Sequence, residues 1–387
     1  MSATTTSLKD QKLTQPGTEA AKDEAFYRAS QWQLVWWKFR RHKLAQLAMV
    51  VLAVFYLIAI FAEFVSPFDP QHRMKEFSGM PPVTVRMIDW RGNFRLPFVY
   101  SLKMTRDPVT LRPIYKEDAN FINPIKLFIK GDPYLLWGII PSDIHLFGVD
   151  QRDGKTVPFF LLGTDILGRD LLSRIFFGGR ISLTVGLIGV VLSFLLGLLL
   201  GGLSGFFGGV LDEVIMRVID VLVSLPQIPL WMSLAAALPQ DWPQLQTYFF
   251  VTIILSIFGW TTLARTVRGK LLSMREEDFI MAAKLDGESE WSIITRYMLP
   301  SFASYIIVSL TIAIPSMILS ETSLSFLGIG LRAPTISWGV MLQDAQSLQT
   351  VAQLPWLLWP CAFVVLAVLM FNFLGDGMRD AADPYVT

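Results

Sequence analysis

The sequence predicts an all-α membrane protein with six transmembrane helices and a large extracytoplasmic insertion between the first and second. Three observations carry that prediction. Apolar residues make up 52% of the 387 and gather into runs long enough to cross a bilayer, instead of recurring at amphipathic spacing. Basic residues cluster at those ends of the runs that a six-span path places on one side, as the positive-inside rule requires of the cytoplasmic face. One connection, of about 110 residues, exceeds any ordinary loop and must hold structure of its own.

Residues 1–30 are rich in Ser, Thr, Lys, Glu and Gln and are expected to be disordered and cytoplasmic. Residues 31–43 alternate Trp32, Trp36, Trp37 and Phe39 with Lys38, Arg40, Arg41, His42 and Lys43. They read equally as an interfacial amphipathic segment or as the flank of the first span, 44–66. The stretch 67–180 then carries Pro, Arg, Asp and aromatic residues, and no apolar run in it reaches membrane length, so short strands and turns are expected. Near its end, Leu162 to Arg174 (LLGTDILGRDLLSR begins one residue earlier) reads as a surface helix. Thr164 or Asp165 would cap it, with local ion pairs among Arg169, Asp170 and Arg174.

The second span, 181–207, places Gly186, Gly189, Ser193, Gly197, Gly201 and Gly205 at three- and four-residue steps, a face that lets another helix approach closely. Asp212, Glu213, Arg217 and Asp220 follow, with Glu213 to Arg217 and Arg217 to Asp220 expected as a structural ion-pair cluster. The third span, 214–238, contains Pro226 and Pro229, so its freed carbonyls make it a candidate cavity liner. The fourth, 246–264, ends at Arg265, Arg268, Lys270 and Arg275; the fifth, 301–320, contains Pro315 and precedes Glu321; the sixth, 356–374, precedes Asp376, Arg379 and Asp380. Between the last two spans, Gly328, Gly330, Pro334, Trp338, Gly339 and Asp344 suggest a re-entrant or surface loop.

Several function classes lose support from the residues themselves. A net charge of +1 gives no electrostatic case for nucleic acid. The single cysteine, Cys361, precludes an internal disulfide framework. His42, His72 and His145 all lie outside the apolar runs, so an intramembrane enzyme lacks a base or metal cluster at depth. A self-sufficient secondary transporter would normally carry ion-coupling charges at mid-span, where these spans are nearly free of them. The stretch Gly148 to Thr156 resembles a phosphate loop but has five residues between its glycines where the motif needs four, and it reads as a turn before a strand.

The polar segment 276–300, EEDFIMAAKLDGESEWSIITRYMLP, stands between the fourth and fifth spans on the cytoplasmic side. Helical spacing puts Phe279, Ala282, Ala283 and, more loosely, Leu285 on one side of a first helix, with Asp278 and Lys284 elsewhere. Gly287 would end that helix, because glycine enters left-handed backbone geometry without a Cβ penalty. Ser289 would cap a second helix that stops near Leu299-Pro300. A helix, a bend and a helix outside the bilayer suit a docking surface better than an active site.

Taken in order, several segments carry a resemblance. They are the basic stretch before the first span, LLGTDILGRDLLSR, DEVIMRVID at Asp212, TTLARTVRG at Thr261, AAKLDGESEWSIITRYMLP at Ala282, ETSLSFLGIGLRAPTISW at Glu321, and GDGMRDAADP at Gly375. The chain resembles the C-type permease subunit of type I ATP-binding-cassette importers in the dipeptide, oligopeptide and nickel group. Two departures are visible: Met281 stands where the family's cytoplasmic signature has Glu, and Tyr297 where it has Ile. The resemblance implies the type I importer permease fold in a bacterial or archaeal cytoplasmic membrane, with both termini inside. It implies a second permease subunit as heterodimer partner, two cytoplasmic ATPase subunits and an extracytoplasmic substrate-binding protein, and no catalysis or cofactor in this chain. It also implies that Asp278, Phe279, Met281, Ala282, Ala283, Leu285, Asp286 and Gly287 form the coupling helix that docks on an ATPase, with Leu299 and Pro300 shaping its loop. Peptide is the expected cargo; oligosaccharide, opine or nickel are the alternatives within the group.

Overall fold

The computed structural model describes residues 31–106, 108, 113–150, 157, 159–239 and 241–382. The expected disordered stretch 1–30 lies outside the described residues. Helix α1 (Gln31–Phe39) precedes α2 (Lys43–Ile60), whose first turn is capped by His42 through its side chain to Ala45 N. After a break at Phe61 comes the short α3 (Ala62–Val65). Leu44, Leu47, Val50, Val54 and Leu57 of α2 remain exposed, as a lipid-facing stripe should, while Ala48, Leu52 and Ala59 pack inward.

The stretch after α3 corrects the all-α expectation. It forms a four-stranded antiparallel meander, β1 (Arg86–Ile88), β2 (Phe94–Arg106), β3 (Pro113–Leu136) and β4 (Ile140–Val149), in sequential order. Strands β2, β3 and β4 are long where short ones were expected, and β1 is short. The longest, β3, pairs with β2 through residues 113–124 and with β4 through residues 125–136, with register shifts between Tyr100 and Ser101 and between Lys130 and Tyr134, each irregularity taking up local twist. Met80, Val83, Val99, Phe159 and Phe160 are its buried centre. Of the stretch that resembles a phosphate loop, Gly148 and Val149 end β4, and residues 151–156 lie outside the described residues.

Helix α4 (Leu171–Phe207) starts ten residues before the expected second span. The expected cap is also corrected: Asp170 caps it by accepting from Ser173 N at 2.8 Å, whereas Thr164 and Asp165 are buried ahead of it. Asp165, not Asp170, is the ion-pair partner. It accepts from Arg169 Nε at 2.6 Å and from the Arg174 guanidinium, with Asp344 a further 3.8 Å from Arg169. A charge at Arg174 looked like the end of a surface segment, yet pairing lets the helix carry it while buried. The small residues of α4 split between two neighbours. A Cβ on Gly201 would stand 2.5 Å from Ala264 O and one on Gly205 2.8 Å from Arg268 O, both in α7 (Gln244–Met274); one on Gly186 would meet Ile318 at 2.6 Å in α11 (Ala303–Phe326).

The expected third span is a bent pair, α5 (Gly209–Ser224) and α6 (Gln227–Ala236), at 89° to each other. Pro226 lacks an N–H and disfavours helical geometry at the residue before it; Leu225 is accordingly extended, with φ −83 and ψ 138. By length and composition five helices among the described residues can cross a membrane, and six segments can if the bent pair counts as one. Glu213 and Arg217 lie 4.0 Å apart as expected, but Asp220 pairs with Arg265 at 2.6 Å instead of Arg217, so the charges join α5 to α7.

The remaining helices also run past their expected ends. After the 276–300 segment, α11 continues to Phe326 through Pro315 and Glu321. Then α12 (Trp338–Gln343) and α13 (Leu348–Gln353) occupy the expected re-entrant stretch, and α14 (Trp359–Ala382) includes Asp376, Arg379 and Asp380. Glu321 is fully buried. It accepts from Ser182 at 3.2 Å, Ser325 at 2.8 Å and Ser337 at 2.9 Å, so three segments supply the donors that burial of a carboxylate demands. Trp338 packs beside them with its indole donating to Ile175 O at 3.0 Å.

Candidate docking site

The segment between α7 and α11 is built as α8 (Asp278–Leu285), a bend, α9 (Glu290–Ser292), a π-helical stretch (Ile293–Met298) and α10 (Leu299–Ser301). Asp278 in the first turn of α8 and Lys284 in the last match the helix dipole. At its end, Glu288 N reaches Ala283 O at 3.2 Å and Gly287 N reaches Lys284 O at 3.1 Å, which satisfies carbonyls that the helix leaves open. That closure needs a left-handed residue, and Gly287 has φ +77. Ser289 accepts from Ser292 N at 3.3 Å and caps the second helix, as expected.

The second helix stops near Leu299-Pro300, as expected, although Leu299 before the proline is itself helical. The helix runs on through Ser301 and breaks at Phe302, with φ −121 and ψ 23. The wider π turn just before the proline is the local adjustment: Pro300 has no N–H to donate, and a π stretch relaxes the i→i−4 ladder that would otherwise require one. Leu299 packs on the cluster beneath, while Pro300 itself is exposed.

Helix α8 has two faces, divided differently from the sequence expectation. Ile280 is fully buried and Ala283 nearly so, three residues apart on one side. They pack with Phe206 at the end of α4, Val267 and Leu271 of α7, and Ile293, Ile294 and Met298 of the π stretch. Ala283, expected beside Phe279 and Ala282, therefore belongs to the inner face. The outer face carries Phe279, Met281, Ala282 and Leu285, all exposed, with Leu285 at 87%, and Asp278, Asp286 and Gly287 are exposed around them. Trp291 on α9 is exposed as well. Sequence reasoning passed over Ile280 and Trp291. The Ile280–Ala283 spacing of three was the signal for the first, because it defines an apolar stripe opposite Phe279 and Met281.

The base on which α8 sits is cross-braced. Arg268 of α7 grips Asp212 of α5 with both Nε and Nη2, the latter at 2.6 Å, and Ser204 of α4 donates to the same carboxylate. Lys284 lies 6.0 Å over the Phe206 ring, a cation above an aromatic face that ties α8 to the same helix end. The arrangement offers no nucleophile paired with a base, and its chemistry is that of contact: an apolar outer face on a short helix whose inner face is locked to the ends of two membrane-length helices.

Residues 171–387 match the family described as "Binding-protein-dependent transport system inner membrane component", and residues 30–82 match "N-terminal TM domain of oligopeptide transport permease C". The dipeptide transport system permease protein DppC of Bacillus subtilis is 40% identical over 57% of this chain and 68% of its own length. The oligopeptide transport system permease protein OppC of Salmonella typhimurium is 40% identical over 67% of this chain and 83% of its own. The dipeptide transport system permease protein DppC of Lactococcus lactis is 29% identical over 95% of this chain and 94% of its own. A chain of the MetNI methionine ABC transporter aligns over 55% of this chain and 98% of its own at 16% identity and a TM-score of 0.44, a likeness too slight to argue from. The match over 171–387 covers every membrane-length helix after the first, and the chain belongs to the family of binding-protein-dependent transport system inner membrane components.

Proposed function

We propose that this chain is the C-type permease subunit of an ATP-driven peptide importer, forming half of the translocation path with a second permease subunit. Two cytoplasmic ATPase subunits would supply the energy and an extracytoplasmic binding protein the substrate. The observation that carries the reading is the two-faced α8, with Phe279, Met281 and Leu285 outward and Ile280 and Ala283 locked inward. A partner that seats the outer face moves the inner face with it, because close-packed side chains transmit displacement instead of absorbing it. The push is then delivered to the ends of α4 and α7, which the Asp212–Arg268 pair holds to α5, so the helices shift as a body. Met281 contributes apolar contact only; no ion pair to the ATPase starts from that position. Relatives named for dipeptide and oligopeptide transport support peptide as the cargo.

The test uses the complete importer in liposomes with Phe279→Ala and Leu285→Ala combined. ATP hydrolysis and peptide uptake should separate, with uptake lost while the subunit remains folded in the membrane. Uptake at the unmodified rate would overturn the docking role, and uptake of a different solute class with no peptide transport would overturn the cargo.

A further inference from the structure

The hairpin between β3 and β4 ends in Leu135-Leu136-Trp137-Gly138-Ile139-Ile140, six residues without a charge. Trp137 and Gly138 take left-handed backbone, with φ 53 and 74, so the tip turns sharply and projects. Leu135, Trp137, Ile139 and Ile140 are each about half exposed or more, Ile139 at 78%. The charged residues stand back at the base, where Lys130 faces Asp143 at 3.5 Å.

The height of this tip is fixed by contacts with the end of α2. Trp137 Nε1 donates to Ile60 O at 2.8 Å, its ring lies 5.5 Å from Phe61, and Phe128 lies 6.2 Å from Phe64. Behind it, Arg180 donates to Ala59 O at 2.7 Å and Ile60 O at 3.2 Å while holding Glu63 at 2.6 Å. The last carbonyls of α2 thus take donors from an indole and a guanidinium, as carbonyls at the edge of hydrocarbon must. Leu57 and Ile60, on the turn of α2 below, are exposed too, and on a membrane-crossing helix that exposure faces acyl chains. The apolar flank of the hairpin continues this lipid-facing surface past the helix end. An amphipathic tryptophan with its N–H at the helix end and its ring outward is the side chain that sits at a membrane–water boundary.

We propose that the 135–140 tip is a membrane-insertion element that enters the interfacial layer of the bilayer beside α2, with lipid as its ligand. Six residues are too few to cross, so the tip lies in the boundary and clamps the sheet to the membrane surface. The inference rests on α2 being a span and not on what the protein transports.

The experiment places a nitroxide on the full chain in phosphatidylcholine vesicles, with Cys361→Ser as background. Single cysteines are introduced as Ile139→Cys, Leu135→Cys, Leu57→Cys and Phe94→Cys. Phe94 is as exposed as Ile139, at 78%, but belongs to the other hairpin, β1–β2. Collision with oxygen, which partitions into lipid, and with a water-soluble nickel chelate is then measured. The 139 and 135 labels should resemble the 57 label, with oxygen collisions several-fold above nickel collisions, while the 94 label shows the reverse. Labels at 139 and 135 that behave like the 94 label would overturn the proposal. So would labels shielded from both reagents, or shielded only once the other importer subunits are added, since either result makes protein the occupant.

Discussion

Truncation of Ile280 to alanine separates the two faces of α8. Ile280 is fully buried among Phe206, Leu271, Ile293 and Met298, and loses three carbons on truncation. At about 0.8 kcal/mol per buried methylene plus a cavity term, the cost is about 3 kcal/mol. Every 1.4 kcal/mol is a factor of ten, so the open population of the 276–300 segment should rise about a hundredfold. Amide hydrogen exchange across that segment reads this directly, because local opening is what exposes the amides. Phe279→Ala is the paired control: its ring is half exposed and outside the cluster, so exchange should change by less than about tenfold, within the ~1 kcal/mol expected of a surface truncation. Equal exchange in Ile280→Ala and the unmodified chain would refute the claim that the inner face holds the segment. Faster exchange in Phe279→Ala than in Ile280→Ala would invert the assignment of faces.

Other consequences are open to direct measurement. Gly287→Ala meets open space but must hold φ +77, so it should cost about 1–2 kcal/mol and show as faster exchange at 285–289 without loss of membrane insertion. Gly201→Leu drives side-chain atoms into Ala264 O, already 2.5 Å from a Cβ, and should lower the unfolding midpoint in detergent by the equivalent of about 1–3 kcal/mol or more; an unchanged midpoint would show that α4 and α7 can part freely. Asp212→Asn and Arg268→Ala should be non-additive in a double-mutant cycle, with a coupling of about 0.5–3 kcal/mol, because each removes the other's partner. In the sheet, Asp89 accepts from Arg91 N, Asn93 N and Arg95 Nε, and the Asn93 backbone bond foremost holds its carboxyl down to about 2. Its contribution is present above the unfolded carboxyl range near pH ~4 and is lost as pH falls toward ~2; emission from neighbouring Trp90 should report this, and Asp89→Asn should remove the dependence.

The helical part was legible because runs of apolar residues announce spans whatever they pack against, and because Gly287 through its backbone and Ser289 through its own side chain act on residues next to them in sequence. Span ends were not, since a sequence reading stops a helix at its first charge. Arg174, Arg268 and Glu321 all lie inside helices, and each is tolerated there by a partner distant in sequence: Asp165 by nine residues, Asp212 by 56 and Ser182 by 139. The faces of α8 were half legible. Two adjacent alanines were assigned together, but only tertiary contact decides which of them, Ala282 or Ala283, points inward. The sheet was foreseen as strands but not as an extended meander, because its longest strand changes partner midway and shifts register, which no alternation pattern announces.

The right-angle break between α5 and α6 has a consequence for counting. A chain that crosses a bilayer an odd number of times finishes on the side opposite its start, and one that crosses an even number returns to it. Among the described residues the other membrane-length helices number five, so whether the bent pair traverses or turns back decides the parity of their path. A reporter at each terminus would therefore measure the behaviour of Leu225 and Pro226, although neither terminus lies near them in sequence.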